Sequence, residues 1–302
     1  MSKRPNFFIV GAPKSGTTSL YTYLKKHPDV FLPKKELYYF CFDLGFRTPP
    51  ISEETYLSYY SSATSQNAIG DASVYYLLSR KAAENIKRFN PEAKIIIMLR
   101  EPADMVYSLH SELQSNGDET IQNFEQAIEL EAERKQNNAV GISPHHNCPI
   151  EAFLYSDVAK YYEQVKRYKD AFGDKNLHII LFDDFKNDPL KEYKKVLQFL
   201  GLSDLKLDAL KAINPNKVPR NRAFMKFLIN PPYVIKKIGT FILPHHTRRR
   251  ELVLNMLWRI NTRYVARKPI SPETRAKLKV LYRADMEKLQ LLIGRDLSSW
   301  LN

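Results

Sequence analysis

The chain has 302 residues, enough for one large α/β domain or two smaller ones. Hydrophobic residues make up 44% and charged residues 26%, a balance that excludes collagen-like, low-complexity and wholly disordered chains. The net charge of +13 comes from the C-terminal part, because residues 217–302 hold 19 Lys and Arg against 5 Asp and Glu, whereas the preceding residues hold 27 against 28. This asymmetry favours an anionic partner, although a solvated basic face has the same composition.

The amino terminus gives an expectation for the compartment. Its apolar run, Phe7 to Val10, is too short for a signal peptide or a membrane span. The two cysteines, Cys41 and Cys148, are too few for a secreted disulfide framework and lack the spacing of a zinc site. We therefore expect a cytoplasmic protein with no bound metal.

Apolar runs bounded by turn residues alternate with helical patterns along the chain, which predicts a parallel sheet. The predicted strands are Phe7–Val10, Lys94–Leu99 and His178–Phe182. Helices are predicted over Thr17–Lys26 and, from an Asp188-Pro189 start to a Gly201 stop, up to Leu200. The predicted fold class is α/β, with one domain over residues 1–302 and a central parallel sheet flanked by helices.

Two segments differ from the predicted sheet. Residues 109–157 are rich in Glu, Gln and Asn, and we interpret them as a helical insertion or lid. Residues 217–302 are interpreted as a basic helical C-terminal part. Within it, residues 224–243 mix apolar, aromatic and lysine residues as an interfacial element does, but Pro231 and Pro232 favour core-packing helices instead.

The segment from Gly11 to Thr18 (GAPKSGTT) lies between a predicted strand and a predicted helix. A helix start offers unpaired N–H groups and the positive end of the helix dipole, which together bind anions. Against the Walker A pattern G-x-x-x-x-G-K-[ST], the glycines and Thr18 keep their spacing, but Thr17 replaces the lysine and Lys14 comes three residues earlier. The second predicted strand ends in Arg100 rather than in a magnesium-binding Asp. The pattern therefore predicts a P-loop-like nucleotide site without the residues of an NTPase; an ordinary glycine-containing turn is the alternative.

This loop resembles the 5′-phosphosulfate loop of sulfotransferases that use 3′-phosphoadenosine 5′-phosphosulfate (PAPS). Lys35 to Phe40 (KELYYF) resembles the K-E-x-x-F-F segment of heparan-sulfate-type and bacterial carbohydrate sulfotransferases. Residues 95–108 (IIIMLREPADMVYS) resemble their 3′-phosphate motif, with Arg100 and Ser108 at matching positions. The resemblance covers most of the chain. It implies transfer of a sulfuryl group from PAPS to a hydroxyl or amine of a carbohydrate or glycoconjugate.

The chemistry of sulfuryl transfer needs charge stabilisation on the leaving phosphate and a group that accepts the proton of the acceptor. Lys14, with the N–H groups of Ser15 to Thr18, suits the first role. The resemblance implies that Glu36 is the general base, and Lys35 beside it is expected to carry acceptor or sulfuryl charge. His110 is the rival base, because imidazole titrates near neutrality, and a structural role is its alternative. For Glu36 the alternative is a surface carboxylate paired with a neighbouring lysine.

A larger set of residues is expected to bind the donor. These are Lys14, Ser15, Gly16, Thr17 and Thr18 at the 5′ end, Arg100 and Ser108 at the 3′-phosphate, and Lys217, Arg220 and Arg222 folded over that same phosphate. Arginine binds phosphate bidentately and keeps its charge. A surface ion pair with Glu101 or Asp104 is the alternative for Arg100, and a solvated loop is the alternative for the last three residues.

Other function classes explain single features only. A nucleotide kinase would account for the loop but not for its displaced lysine, and a nucleic-acid-binding protein would account for the basic tail but not for the lack of a recognisable binding module. We therefore expect no nucleic-acid partner. Sulfation of a lipid or small-molecule alcohol is the alternative acceptor hypothesis, and it goes with peripheral contact of the basic C-terminal part with the inner face of a membrane. No oligomeric state is predicted.

Overall fold

A five-stranded parallel sheet lies at the centre of the computed structural model, in the spatial order β2-β3-β1-β4-β5. The structure describes residues 3–136, 139–205, 217–221, 224, 227, 253, 256–257, 260–264 and 269–301. The strands of the sheet are β1 (Phe7–Gly11), β2 (Val30–Phe31), β3 (Ala68–Ala72), β4 (Lys94–Leu99) and β5 (Leu177–Leu181). A separate antiparallel pair consists of β6 (Lys217–Pro219) and β7 (Thr262–Tyr264).

Helices connect the strands and cover both faces of the sheet. They are α1 (Thr17–Leu24), α2 (Glu53–Ser58), α3 (Ala82–Phe89), α4 (Pro102–Asn116), α5 (Phe124–Glu129), α6 (Glu131–Lys135), α7 (Tyr155–Val158), α8 (Tyr161–Phe172), α9 (Phe182–Asn187), α10 (Pro189–Leu200), α11 (Pro272–Ile293) and α12 (Ser298–Leu301). The predicted fold class, an α/β domain with a central parallel sheet flanked by helices, is confirmed.

The central strand β1 is buried along its whole length. Phe8 and Val10 pack into the core layer on one face of the sheet, whereas Phe7 and Ile9 pack into the layer on the other face, as the two-residue period of a strand requires. The first layer includes side chains of α3, α4, α8 and α11, and the second includes side chains of α1 and α10. Because the strands are parallel, their carboxyl ends meet at one edge, where ligands bind in open α/β sheets.

The predicted strands and helices lie at the expected places, but α1 ends at Leu24 rather than Lys26, and the third predicted strand ends before Phe182. Strand β4 has the predicted bounds, and α10 begins after its N-cap Asp188, whose side chain accepts a hydrogen bond from the Lys191 N–H (3.0 Å). Phe182 does not end a strand: it begins helix α9, with Asp183 and Asp184 in the first turn, where negative charge is favoured by the helix dipole.

The predicted insertion begins later than residue 109, because residues 109–116 complete helix α4. The rest of it contains α5, α6 and α7, and its centre is an ion pair between Arg134 and Glu119 at 2.8 Å, with both side chains fully buried. A role for this segment as a lid stays a prediction.

The C-terminal part contributes a long helix to the core. Helix α11 packs against α8 and α4, and Arg275 in its first turns forms ion pairs with Glu101 and Asp104 (3.2 and 2.5 Å). Most of the predicted interfacial stretch 224–243 lies outside the described residues. No helix within the described ranges is long and apolar enough to span a membrane.

Candidate active site

The loop Gly11–Thr18, which we call the phosphate loop, connects the end of β1 to the start of α1. Gly16 has a φ of 92°, and a Cβ atom at this position would come within 3.2 Å of the Phe182 ring and 3.3 Å of the Met98 side chain. The positive φ favours glycine at this position, and a Cβ atom would also crowd these two side chains. The first N–H groups of α1, at Thr17 and Thr18, have no partner within the helix, as at any helix start, so the loop presents donors suited to a phosphate or sulfonate.

Lys14 lies in the middle of the phosphate loop with a left-handed backbone (φ 58°). Its ammonium lies 2.8 Å from the Glu112 Oε1 on helix α4, and its carbonyl oxygen accepts a hydrogen bond from the Arg100 Nη1 (3.3 Å). The predicted loop lysine and the predicted 3′-phosphate arginine are thus neighbours.

Arg100 follows strand β4 and is about one-fifth exposed. Its guanidinium carbon lies 4.9 Å from the centre of the Phe182 ring, and its Nη2 is 3.6 Å from the Asp104 carboxylate. Of the two carboxylates considered as partners of Arg100, only Asp104 is near, and that ion pair is long. Glu101 caps helix α4 and pairs with Arg275 instead.

Ser108 lies on helix α4, one turn beyond Asp104 on the same face, and is 3% exposed. Strand β6, which begins at Lys217, lies against this helix. The Arg220 N–H donates to the Asn261 carbonyl (2.6 Å), which ties the end of β6 to the chain before β7. The Lys217 side chain and Arg222 lie outside the described residues, so the structure places only Arg220 of the three expected basic residues in full.

The turn formed by residues 36–38, which we call the base turn, brings Glu36 to the phosphate loop. The Lys35 ammonium lies 2.8 Å from the Thr18 hydroxyl at the start of α1 and 3.3 Å from the Glu36 Oε1. The other carboxylate oxygen of Glu36 accepts a hydrogen bond from the Val74 N–H (3.1 Å). Glu36 does pair with Lys35, as its alternative interpretation holds, but the pair is located at the phosphate loop rather than on a remote surface.

Aromatic side chains pack beside Glu36. The Tyr38 ring lies 4.8 Å from the Phe46 ring and 5.5 Å from the Tyr75 ring, measured between centroids. Burial, together with the neighbouring Glu36 carboxylate, raises the pKa of Tyr38 well above its ordinary value, so this phenol stays neutral. Glu36 therefore borders an aromatic wall made of Tyr38, Phe46 and Tyr75.

His110 does not join these residues. It is 2% exposed, its Nε2 lies 2.9 Å from the Ile121 carbonyl oxygen, and its ring packs against Phe124 and Tyr155 at 5.2 and 5.7 Å. Burial lowers its pKa, which keeps the ring neutral. This placement corrects the expectation of a catalytic histidine: a base must reach solvent or the acceptor, and the ring is enclosed by the core instead.

Sequence reasoning did not single out three residues that the structure brings to this site: Glu112, Asp71 and Ser73. Glu112 is one helical turn beyond Ser108, so the spacing on α4 already indicated that it shares a face with the phosphate-binding serine. Asp71 lies in the strand Ala68–Ala72 and Ser73 directly follows that strand, whose sequence AIGDA is poor in β-forming residues. Because that strand was not predicted, Asp71 and Ser73 were not considered as site residues.

No group of three or more His, Cys, Asp or Glu side chains in the described part of the chain is arranged to hold a metal ion.

The structure is an α/β protein in which the phosphate loop lies at the carboxyl edge of a parallel sheet. Residues 4–222 match the sulfotransferase domain family, and the chain belongs to that family. A crystal structure of a sulfotransferase from Alicyclobacillus acidocaldarius is 28% identical and superposes with a TM-score of 0.73, covering 99% of this chain and 100% of that one. Family and fold together support a sulfotransferase enzyme.

Curated relatives match over shorter or more divergent stretches. The chain is 34% identical over 101 residues to the membrane-associated sulfotransferase kil1 of Dictyostelium discoideum, covering 33% of this chain and 21% of that protein. It is 23% identical over 301 residues to carbohydrate sulfotransferase 15 of Rattus norvegicus, covering 82% of this chain and 53% of that protein. The chain thus spans about a fifth and about half of the length of these two relatives.

Proposed function

We propose that the protein transfers a sulfuryl group from PAPS to a hydroxyl or amine of an acceptor, most simply a carbohydrate or glycoconjugate. One observation carries this proposal: the Lys35 ammonium bridges the Thr18 hydroxyl of the phosphate loop and the Glu36 carboxylate, at 2.8 and 3.3 Å. A donor-binding loop and a candidate proton acceptor are thereby held at one point, as in-line transfer requires.

The residues of the phosphate loop fit a 5′-phosphosulfate. Glycine at position 16 adds no side chain to the loop, and the unpaired N–H groups that open a helix favour an anion beside them. PAPS, when bound, supplies the sulfuryl group and a phosphate that leaves with the electron pair of the broken S–O bond. Lys14 stabilises the charge that develops on that phosphate, and the N–H groups of the loop share it.

Glu36 acts on the acceptor. Its carboxylate takes the proton from the attacking hydroxyl or amine while the new bond to sulfur forms, and Lys35 stabilises the sulfuryl oxygens. Arg100 and Ser108 hold the 3′-phosphate, with Lys217, Arg220 and Arg222 as further contacts over it. No step assigned to these residues needs a metal ion, so we expect activity to persist in EDTA.

The aromatic wall supports a carbohydrate acceptor. Tyr38 and Phe46 are only partly buried, and partly exposed aromatic rings beside a catalytic carboxylate offer the apolar face of a sugar ring a surface to pack against. The match to carbohydrate sulfotransferase 15 supports the same class.

A lipid or small-molecule alcohol is the second candidate acceptor. Phe224 and Phe227 stack on each other at 6.4 Å and are 36% and 38% exposed, at the start of the basic, apolar stretch 224–243. Exposed aromatic residues among lysines are typical of contact with an anionic membrane surface. Co-sedimentation with anionic vesicles at low salt is expected under this hypothesis; a protein that stays in the supernatant contradicts it.

The donor is tested by calorimetric titration with adenosine 3′,5′-bisphosphate, ADP and ATP. We expect the 3′,5′-bisphosphate to bind at least about tenfold more tightly than ADP, because charged hydrogen bonds to a phosphate contribute roughly 1.5–3 kcal/mol. Equal affinities would contradict a PAPS site. The acceptor is identified by incubating oligosaccharide, glycolipid and alcohol pools with ³⁵S-labelled PAPS and analysing the labelled products by mass spectrometry.

A further inference from the structure

A buried carboxylate lies directly behind the base turn. Asp71, at the end of β3, is 1% exposed and accepts three hydrogen bonds from hydroxyl groups. Ser73 donates to its Oδ1 at 2.7 Å, and Tyr56 and Tyr76 donate to its Oδ2 at 2.9 and 2.8 Å. All three donors point inward, so the carboxylate fixes the orientation of each hydroxyl.

The orientation of the Ser73 hydroxyl matters for the base turn. A serine hydroxyl has one hydrogen to donate and two lone pairs that accept. Because the hydrogen is committed to Asp71, the oxygen is free to accept from two backbone amides, those of Leu37 (3.1 Å) and Tyr38 (3.3 Å). The same serine is fully buried, so water does not replace it as an acceptor.

The base turn needs such support. Glu36 and Tyr38 both have positive φ values, 65° and 55°, in the left-handed region that non-glycine residues rarely adopt. Backbone in this region persists when surrounding contacts over-determine it, and such positions are concentrated at functional sites. The Glu36 N–H adds a bond to the Ala72 carbonyl (2.9 Å), next to the serine.

The support for the base turn also reaches the phosphate loop. The Ser73 N–H donates to the Ile9 carbonyl (3.1 Å), and the Leu77 N–H donates to the Val10 carbonyl (2.8 Å). Ile9 and Val10 are the last residues of β1 before Gly11, where the phosphate loop begins. One short segment, residues 73–77, therefore holds both the turn that carries Glu36 and the strand that leads into the phosphate loop.

We propose that Ser73, oriented by Asp71, is a positioning residue that fixes the Glu36 carboxylate relative to the phosphate loop. The inference rests on the proposed function, in which Glu36 accepts the proton of the acceptor. Ser73 touches neither donor nor acceptor; it acts through the two amides that it holds. Its loss should lower turnover while leaving donor affinity unchanged, because the phosphate loop itself keeps its contacts.

Ser79 provides a matched control. It is also fully buried, its hydroxyl also donates to a carboxylate, that of Asp43 (2.5 Å), and its oxygen also accepts from two backbone amides, those of Lys81 (3.1 Å) and Ala82 (2.9 Å). These amides belong to the start of helix α3 and not to the base turn. Ser79→Ala thus removes the same chemistry at a comparable depth without touching Glu36.

The test compares Ser73→Ala and Ser79→Ala by unfolding, by titration with adenosine 3′,5′-bisphosphate, and by turnover at saturating PAPS. We expect similar losses of stability and unchanged bisphosphate affinity in both variants. Turnover should fall about 10- to 100-fold in Ser73→Ala alone, since small misplacements of reacting groups cost that much. Turnover within about twofold of wild type in Ser73→Ala, or an equal loss in Ser79→Ala, would overturn the inference.

Two further measurements keep the test decisive. If Ser73→Ala does not fold, Ser73→Cys replaces it, because the somewhat larger thiol fills the site of the hydroxyl but accepts hydrogen bonds weakly. If the wild-type protein transfers no sulfuryl group to any acceptor, the proposed function fails by itself. Hydrogen exchange at the Leu37 and Tyr38 amides then decides the inference: faster exchange in the Ser73 variant than in Ser79→Ala supports it, and equal exchange refutes it.

Discussion

The Lys14 ammonium and the Glu112 carboxylate form an ion pair at 2.8 Å that joins the phosphate loop to helix α4. The two side chains are 22% and 43% exposed, so the pair lies at the mouth of the site rather than in the core. Lys14 is also the residue that we expect to bind the sulfuryl-bearing phosphate. We therefore expect Glu112 to compete with the donor for the same ammonium group.

This competition predicts that Glu112→Gln binds adenosine 3′,5′-bisphosphate more tightly than the wild-type protein. A partly exposed ion pair contributes at most about 1 kcal/mol, so the gain should be up to about fivefold. Calorimetric titration measures it. Glu84→Gln is the control, because Glu84 pairs with Arg88 on an exposed helix face away from the phosphate loop. Weaker binding in Glu112→Gln would show that Glu112 supports the donor instead.

Lys14→Ala should lower turnover far more than it weakens binding of the bisphosphate product. The ammonium acts on charge that develops as the S–O bond breaks, and loss of one such charge-stabilising donor costs roughly 100- to 1000-fold in rate. Turnover and product affinity are measured on the same preparation. Equal losses in both would assign Lys14 to ground-state binding.

Arg100→Ala should weaken the contact with the 3′-phosphate. A charged hydrogen bond contributes roughly 1.5–3 kcal/mol, so we expect the KM for PAPS to rise by about one to two decades. Adenosine 5′-phosphosulfate, a donor that lacks the 3′-phosphate, is the control substrate, and its use should change much less. Equal effects on the two donors would mean that Arg100 acts elsewhere, for example by holding the Lys14 carbonyl, which it contacts at 3.3 Å.

Much of this site could be predicted from short-range patterns. The apolar run of β4 and the glycines of the phosphate loop are local signals, and both appear where they were expected. Helix α10 was also predicted from local signals, which are its N-cap Asp188 and its C-cap Gly201. The positions of Arg100 and Lys14 followed from these elements, because a residue at the end of a parallel strand faces the same edge as the loop of its neighbour.

The contacts that orient the base could not be predicted in the same way. Asp71 pairs with Phe8 across the sheet and binds Ser73 and two tyrosines that come from different segments. Its strand, AIGDA, lacks the alternation of β-branched residues that would mark it in the sequence, and tertiary pairing overrides its low β-propensity. The two interpretations of His110 could not be separated from the sequence either, because an imidazole is a plausible base in any sequence. Only the packing of its ring against Phe124 shows that it is enclosed and favours the structural role.

Asp118 gives the protein a pH-dependent stability. Burial raises the pKa of its carboxyl to about 6 in the folded protein, above the ordinary value of about 4. The folded state therefore binds this proton more strongly than the unfolded state does. Protonation of Asp118 stabilises the fold fully below pH 4, and this stabilisation is lost as the pH rises through 6. Asp118→Asn lacks this effect. The unfolding free energy of wild type relative to Asp118→Asn should fall by up to about 3 kcal/mol between pH 4 and 7, as measured by urea unfolding. A difference independent of pH would contradict the shift.

The central claim is that Glu36 accepts the proton when the sulfuryl group of PAPS is transferred, and the rate of ³⁵S transfer by Glu36→Gln tests it most directly. Glutamine keeps the size of the side chain and leaves the phosphate loop intact, so bisphosphate affinity should be unchanged. Transfer should fall by about 100- to 10000-fold, the usual contribution of a general base. His110→Asn is measured beside it and should retain transfer within a few-fold, since that ring is buried against Phe124 and bound to the Ile121 carbonyl. A Glu36→Gln protein that transfers within a few-fold of wild type, with His110→Asn nearly inactive, would contradict the account.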